Sequence, residues 1–376
     1  MKILVKTAAV AAVLFSSVCF SSNADRNPII NATYAVGSRF AESDIDAADL
    51  AKFDFIYLNA APKWSPSDFD LSSDEVVRKI VLSHRYDNEA AIRKLVATVH
   101  ANGGKILCSF PGQEFAEIAP DERRSRQFAT VMAEFVKKYD YDGIELDWEH
   151  TVTEELHAGF MHQIRLALDS LSAGNRRYWL TTALHHYRNY TPELADRLVA
   201  DADWINIMYY DMGGGIWGKS ASHNAPLPEM KRSVLKDWNM FPAEKLHIGL
   251  PSYGFYYKGI APGQTVPEGT SLGAFGRYCG YTELPGCLEK GWTEKWDYAA
   301  QSAYFFSPDG TEFMTLETER SLDLKIDWVL DSGFGGVFWW EYSCDLVKPA
   351  AGGSGSSHMI TDFVTKRVRG ANVSAR

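Results

Sequence analysis

From residue 29 to residue 342 the chain repeats one pattern: a short apolar run and then, in most cases, a stretch of helical period. The runs are IINATYAV (29–36), FDFIYLNA (53–60), KILCSF (105–110), YDGIELDWE (141–149), YWLTTALHH (178–186), ADWINIMYYD (202–211), KLHIGLPSYG (245–254) and GGVFWWEY (335–342). Between the third and fourth, ERRSRQFATVMAEFVKKY sets Phe128, Val131, Met132, Phe135 and Val136 on one helical stripe, with its charges elsewhere. The same reading predicts helices at 87–101, 153–172, 192–200, 229–238, 318–332 and 357–367. Strands that alternate with helices pair in parallel through crossovers, and eight repeats are the number that closes a (β/α)8 TIM barrel. An open doubly wound sheet is the other candidate. It would carry a Gly-rich phosphate turn after its first strand, which YAVGSRFAESD does not supply. Residues from about 256 to 312 are rich in Gly, Pro and aromatics and break the alternation, so a small α+β insertion is expected in the loop after strand 7.

The remaining composition narrows the class. Of 376 residues, 46% are hydrophobic and the net charge is -10, which describes a globular chain without the basic stripe of a nucleic-acid binder. A neutral substrate fits better. At the N-terminus Lys2 and Lys6 frame an apolar run from Thr7 to Phe20, and Ser22 and Ala24 suit a cleavage site, so residues 1–24 read as a secretory signal peptide. Residues 25–376 are then the mature barrel, exported to the periplasm or the medium and expected to act as a monomer. No later run is long and apolar enough to span a bilayer, so no membrane partner is expected after signal removal. Cys279 and Cys287, in the loop-rich YCGYTELPGC, are spaced so that a secreted protein could join them.

One strand carries a burden that packing does not explain. DGIELDWE (142–149) holds four carboxylates in eight positions, and burying an ionised carboxylate is costly unless it is paired or protonated. Strand alternation puts Ile144, Leu146 and Trp148 on the helix-facing side. Glu145, Asp147 and Glu149 point into the barrel and climb toward its C-terminal end, where barrel enzymes keep their chemistry. Asp142 lies outside this ladder. Crowded acids cannot all ionise at neutral pH, so one keeps its proton and can serve as a general acid. Glu149, with the longest reach and the highest position, is the natural donor, and Asp147 below it can hold charge and exchange a proton. A structural metal or ion-pair site is the competing explanation, but no inward cluster of Lys or Arg and no His at ligand spacing completes one. His185 and His186 are adjacent on a strand and face opposite ways, so they cannot chelate together, and no metal is expected.

DGIELDWE resembles the DGxDxDxE signature of glycoside hydrolase family 18, the chitinases and their relatives. Other segments resemble the family's motifs in the family's order: KILCSFPG its third strand, INIMYYD its sixth, PAEKLHIGLPSYG its seventh and GGVFWWEYSCD its eighth. The resemblance implies a secreted chitinase that cuts β-1,4 bonds between N-acetylglucosamine units of chitin or its oligosaccharides, by a substrate-assisted retaining route that needs no cofactor. Carried over to this sequence, Glu149 is the acid and base, Asp147 orients the acetamide, and Tyr210 hydrogen-bonds the acetamide oxygen. Glu145 completes the catalytic group; Asp211 binds sugar hydroxyls, Trp340 floors the sugar whose bond is cut, and Met208 packs beneath it. Tyr34 and Ser109 resemble the family residues that hydrogen-bond the lowest acid. Trp217 is a second platform candidate, with rim closure as its alternative role. An endo-β-N-acetylglucosaminidase acting on glycans or cell-wall sugars, and a non-catalytic lectin for chitin oligosaccharides, are the alternative functions. The chain departs from the family pattern at Glu145, where the family has Asp, at Pro111, where it has Gly, and at Phe255, where it often has Arg.

Overall fold

A computed structural model describes residues 28–81, 88–150, 153–172, 176–213, 215–348 and 355–374. The expected signal peptide lies outside them. In chain order the strands are β1 (Ile30–Val36), β2 (Phe55–Asn59), β3 (Lys105–Pro111), β4 (Gly143–Asp147), β5 (Trp179–His185), β6 (Trp204–Met208) and β7 (Leu246–Pro251), followed by β8 (Tyr253–Lys258), β9 (Gly276–Gly280), β10 (Thr293–Asp297), β11 (Ser302–Phe306), β12 (Glu312–Leu316) and β13 (Gly336–Trp340). Strands β1 to β7 and β13 close a barrel in the order β1-β13-β7-β6-β5-β4-β3-β2, every pair parallel. The (β/α)8 barrel expected from the alternation is the observed fold.

Helices Glu89–Ala101, Glu122–Lys138, Glu154–Leu171, Pro192–Asp201 and Glu319–Ser332 cover the outside. Four of them begin at side-chain caps, Asp121, Thr153, Thr191 and Thr318, each accepting a hydrogen bond from a first-turn N–H. The outward residues of β4 pack under this layer. Trp148 is fully buried against Phe115 and Phe160, with ring centroids 5.8 and 6.0 Å away. Between β4 and β5 the backbones approach so closely that a Cβ on Gly143 would stand 2.0 Å from the Trp179 carbonyl oxygen, so the Gly of the acidic motif sets the strand spacing.

The barrel interior is aromatic below and acidic above. Phe55, Tyr57, Trp204 and Phe338 fill its lower part. Their polar atoms form a chain: Trp204 Nε1 donates to the Tyr57 hydroxyl (2.8 Å), that hydroxyl to Asn206 Oδ1 (3.3 Å), and Asn206 Nδ2 to the Tyr34 hydroxyl (3.3 Å). The chain links the polar atoms of these rings up to the level where the acids begin, while His247 Nδ1, stacked beside Trp204, has no partner.

Four details differ from the sequence expectation. The insertion is wider than 256–312: its five-stranded antiparallel sheet, ordered β10-β11-β12-β8-β9, starts at Tyr253 and ends at Leu316, because β8 follows β7 after a single residue. The final helix is Thr361–Ser374, not 357–367. Its start is displaced because Ser357–His358 (β15) pairs with Leu346–Val347 (β14), and the Ile360 and Thr361 N–H groups donate to Asp345. Cys279 and Cys287 are unbonded, Cys279 being buried in the core of the insertion. The helix expected at 229–238 is Leu227–Ser233 continued by a π turn, Val234–Trp238.

Candidate active site

The register of β3, β4 and β5 puts the acids in layers. Ser109, Glu145 and Thr181 are level with one another, and Pro111, Asp147 and Ala183 form the next layer. Glu145 is fully buried and accepts a hydrogen bond from Ser109 Oγ (2.7 Å). Its other oxygen, Oε1, and Asp147 Oδ1 are buried without a hydrogen-bond partner. Glu149, just past the strand, has a side chain 35% exposed. Asp142 belongs to the opposite end of the barrel, where it accepts from the Ile106 N–H (2.9 Å) and lies 2.8 Å from His100 Nε2.

No cationic side chain pairs with Glu145 or Asp147 among the described residues, so burial dominates their protonation. It pushes Glu145 up to about 7 against the opposing Ser109 hydrogen bond. It raises Asp147 well above the carboxylate range, helped by the charges of Glu145 and Glu149. Glu149 is raised by burial too, with the charges of His150 and Arg188 pulling the other way. The three acids titrate together, and their protons belong to the group.

A cavity of about 510 Å³ opens above the ladder. Its lining brings together Asp147, Glu149, Tyr210, Asp211, Met208, Trp340 and Tyr34, seven of the ten residues singled out in the sequence. Glu145 and Ser109 lie beneath it. Tyr210 reaches the cavity because residue 249 is Gly: a Cβ there would meet the Tyr210 ring at 3.0 Å and the Phe338 ring at 2.8 Å. Burial and the charges of Asp147 and Glu149 keep the Tyr210 hydroxyl protonated, a neutral donor facing the acids. Asp211 sits at φ 51°, its Oδ1 accepting from the Tyr253 hydroxyl (2.7 Å), and burial pushes its pKa up to about 6. Trp340 lies 5.4 Å from the Tyr34 ring and leaves one face to the cavity, whereas Trp339 is fully buried under the helices, as strand parity requires. Trp217 does not line the cavity; it is 76% exposed and shares a hydrogen bond with Tyr278, which does line it.

Other lining residues escaped the sequence reading. Tyr253 and Tyr278 come from the insertion, and Arg39 from the loop after β1 forms an ion pair with buried Glu341. Parity along SYGF carried a signal for Tyr253, but nothing local marked Arg39 or Tyr278. A second group stands beside Glu149. Arg188 donates to the Glu149 carbonyl oxygen (2.8 Å), and His150 and His185 stack with ring centroids 5.3 Å apart.

The arrangement offers a proton donor at a cavity wall, a buried acid below it, a neutral hydroxyl opposite and an aromatic floor. That is a set for acid-catalysed cleavage at a centre that develops positive charge. The family model for glycosyl hydrolases family 18 matches residues 21–345. Chitinase A1 of Niallia circulans is 30% identical over 274 residues, covering 62% of this chain and 39% of that protein. The chain spans half or less of the length of the first curated relatives it matches. Among solved structures, chitinase ChiA74 from Bacillus thuringiensis superposes with a TM-score of 0.71 at 20% identity, covering 92% of this chain and 70% of that one. A plant class V chitinase mutant from Cycas revoluta, in complex with (GlcNAc)3, superposes with a TM-score of 0.69 at 18% identity, covering 92% and 99% of the two chains.

Proposed function

From the premise that the chain belongs to glycosyl hydrolase family 18, we propose that it is a chitinase, hydrolysing β-1,4 bonds between N-acetylglucosamine units with retention of configuration. The observation that carries this reading is Asp147: a buried acid with an unpartnered oxygen, between two other acids, opening onto the cavity that Tyr210 and Trp340 line. An orphaned buried acceptor is expensive to keep. A cationic oxazolinium and the N–H of the substrate's acetamide are the partners it lacks.

In this mechanism Glu149 protonates the glycosidic oxygen while the acetamide oxygen of the same sugar attacks the anomeric carbon, so no enzyme carboxylate becomes covalently attached. Tyr210 donates to that oxygen and holds it in line. Asp147 accepts from the acetamide N–H and stabilises the growing positive charge, while Glu145, Ser109 and Tyr34 set the charge beneath it. Trp340 gives the apolar face of the pyranose a rigid floor. Asp211 binds hydroxyls beyond the scissile bond, Met208 packs at the cavity wall, and Trp217 with Tyr278 extends the aromatic surface along the rim. Glu149, now ionised, takes a proton from the water that opens the oxazolinium. Export through residues 1–24 and action as a monomer complete the proposal. No helix among the described residues is long and apolar enough to cross a membrane.

The test is turnover of chitin oligosaccharides followed by NMR of the fresh anomeric centre. The expected product is the β anomer, and Glu149→Gln retains binding while losing the reaction. An α product, or full activity in that variant, ends the mechanism. Binding without turnover by the native protein identifies the lectin alternative, and cleavage of only protein-linked glycans or cell-wall sugars the glucosaminidase.

A further inference from the structure

The register that stacks Glu145 on Thr181 and Asp147 on Ala183 ends with β4, but the two segments stay close beyond it. Two residues on, Glu149 meets His185, the last residue of β5, and His150 folds over from the same loop. His185 Nε2 lies 3.7 Å from Glu149 Oε2, and His150 Nε2 lies 3.9 Å from the same oxygen. One ligand atom from each of the three residues falls within 4.8 Å of the others. Two donors bound to one zinc at about 2.0–2.1 Å and a tetrahedral angle stand roughly 3.4 Å apart. The two distances to Glu149 Oε2 are a few tenths of an ångström wider, within the reach of small side-chain rotations.

We propose that Glu149, His150 and His185 form a binding site for a divalent transition-metal ion, and that its occupation switches hydrolysis off. Two imidazoles and a carboxylate are a donor set suited to Zn²⁺ or Co²⁺. The second observation pointing to a ligand is His185 Nε2 itself, buried with no hydrogen-bond partner and aimed at Glu149. The ring is held in that direction by stacking, with Tyr187 on one side at 5.2 Å and 6° and His150 on the other at 5.3 Å and 28°. The charge of Arg188 opposes a cation here, which sets the site apart from a tight structural one. Binding replaces the Glu149 proton with the metal and releases that proton to solvent. The carboxylate then has nothing to give the leaving oxygen.

The inhibitory part rests on Glu149 being the acid; the binding part does not. Full-length protein is titrated near pH 8 with Co²⁺, read by its visible absorption, and the Co²⁺ is displaced with Zn²⁺. In parallel the rate is measured against Zn²⁺, each variant relative to its own metal-free rate. The expected result is one Co²⁺ per chain and Zn²⁺ inhibition with the same midpoint as displacement. Loss of an outer-shell partner weakens metal sites by roughly 10–100-fold, so His185→Gln or His150→Gln, which each remove a direct ligand, should raise both midpoints by at least that factor. His185→Gln also removes a stacked ring, so a metal-free melt monitors folding, and His150→Gln repeats the test on a side chain that is 62% exposed. Absence of binding, or binding unchanged in both variants, overturns the site. Metal bound there with hydrolysis continuing overturns the switch; an inactive Glu149→Gln then leaves the acid assignment standing, and an active one removes it.

Discussion

Among the places where this barrel buries charge, two do it in opposite ways. At the mouth, Glu145, Asp147 and Glu149 climb one strand with no cationic partner for the lower two among the described residues; hydroxyls of Ser109 and Tyr34 serve Glu145, and Asp147 Oδ1 has no hydrogen-bond partner. At the rim where the chain ends, Asp49, Lys52, Asp345, His358 and Asp362 interlock. His358 lies 2.8 Å from Asp345 and 3.1 Å from Asp49, Lys52 bridges Asp49 and Asp362 at 2.6 Å each, and the Tyr342 hydroxyl donates to Asp49 at 2.6 Å. Burial alone would depress the His358 pKa, but its two aspartates outweigh it and push the pKa up to about 9. A buried charge met by opposite charges holds this end of the chain down. A buried charge left short of partners holds a capacity for reaction, and stability is what it gives up.

The sharpest way to break this contrast is Glu149→Gln. General acid catalysis contributes about 10²–10⁴-fold, and the rate on chitin oligosaccharides should fall by that order while the melting temperature stays level or rises. A variant that loses stability instead would make Glu149 a structural residue. His358→Gln is the mirror experiment. Removing one partner from a buried ion-pair network costs about 3–5 kcal/mol, read as a lowered denaturation midpoint, with turnover per folded molecule unchanged. The sign with pH follows from a folded pKa raised above the unfolded one. The His358 contribution is complete below the ordinary imidazole value near 6.5 and is lost as pH rises through about 9. The gap between native protein and variant should therefore close on the alkaline side, and a gap that widens there would reverse the assignment.

The two regions also differ in how far the sequence discloses them. The ladder is local: parity along DGIELDWE separates Glu145, Asp147 and Glu149 from Ile144, Leu146 and Trp148, and the contacts agree, Glu145 meeting Ser109 and the upper two acids the cavity while Trp148 packs on Phe115 and Phe160. The lock joins residues 309 apart, Asp49 and His358, so no spacing rule reaches it, and the helix it tethers was expected four residues too early for that reason. Short helices were also missed. Ser73–Ile80 carries a capping box, Ser72 with Glu75, that periodicity over eight residues is too short to support. The His185 pair was dismissed because neighbours on one strand face apart. Strand parity does separate the two histidines; the proximity of His185 to Glu149, on the neighbouring strand's loop, is visible only once the β4–β5 pairing is known.

A smaller effect tests whether the ladder gives up stability. The Glu145 pKa is raised by burial to about 7, so its contribution to stability is complete below the ordinary carboxylate value and is lost as pH rises through about 7. Glu145→Gln cannot ionise. It should be more stable than the native protein near pH 8 by on the order of 2 kcal/mol, level with it near pH 4, and slower in catalysis because Asp147 loses its charged neighbour. Urea denaturation at the two pH values measures the difference, and a variant less stable at both would mean that the Ser109 contact outweighs the buried charge.

The smallest effect isolates that contact. Ser109 Oγ donates to Glu145 and so favours its ionised form, against burial. Ser109→Ala deletes the donor, the acids below Glu149 hold their shared proton more tightly, and a hydrogen bond of about 0.5–1.5 kcal/mol translates into roughly 0.4–1 pH unit. The acid limb of kcat/KM reports the free enzyme's ionisation, so it should move to higher pH by that amount, while the alkaline limb, set by loss of the Glu149 proton, moves less. Ser109→Thr keeps a hydroxyl at the same layer and should restore the native profile. An acid limb that stays put in Ser109→Ala would detach Glu145 from the reaction and leave it as a buried acid of the barrel wall. A shift reversed by threonine ties the lowest rung to the proton that Glu149 delivers.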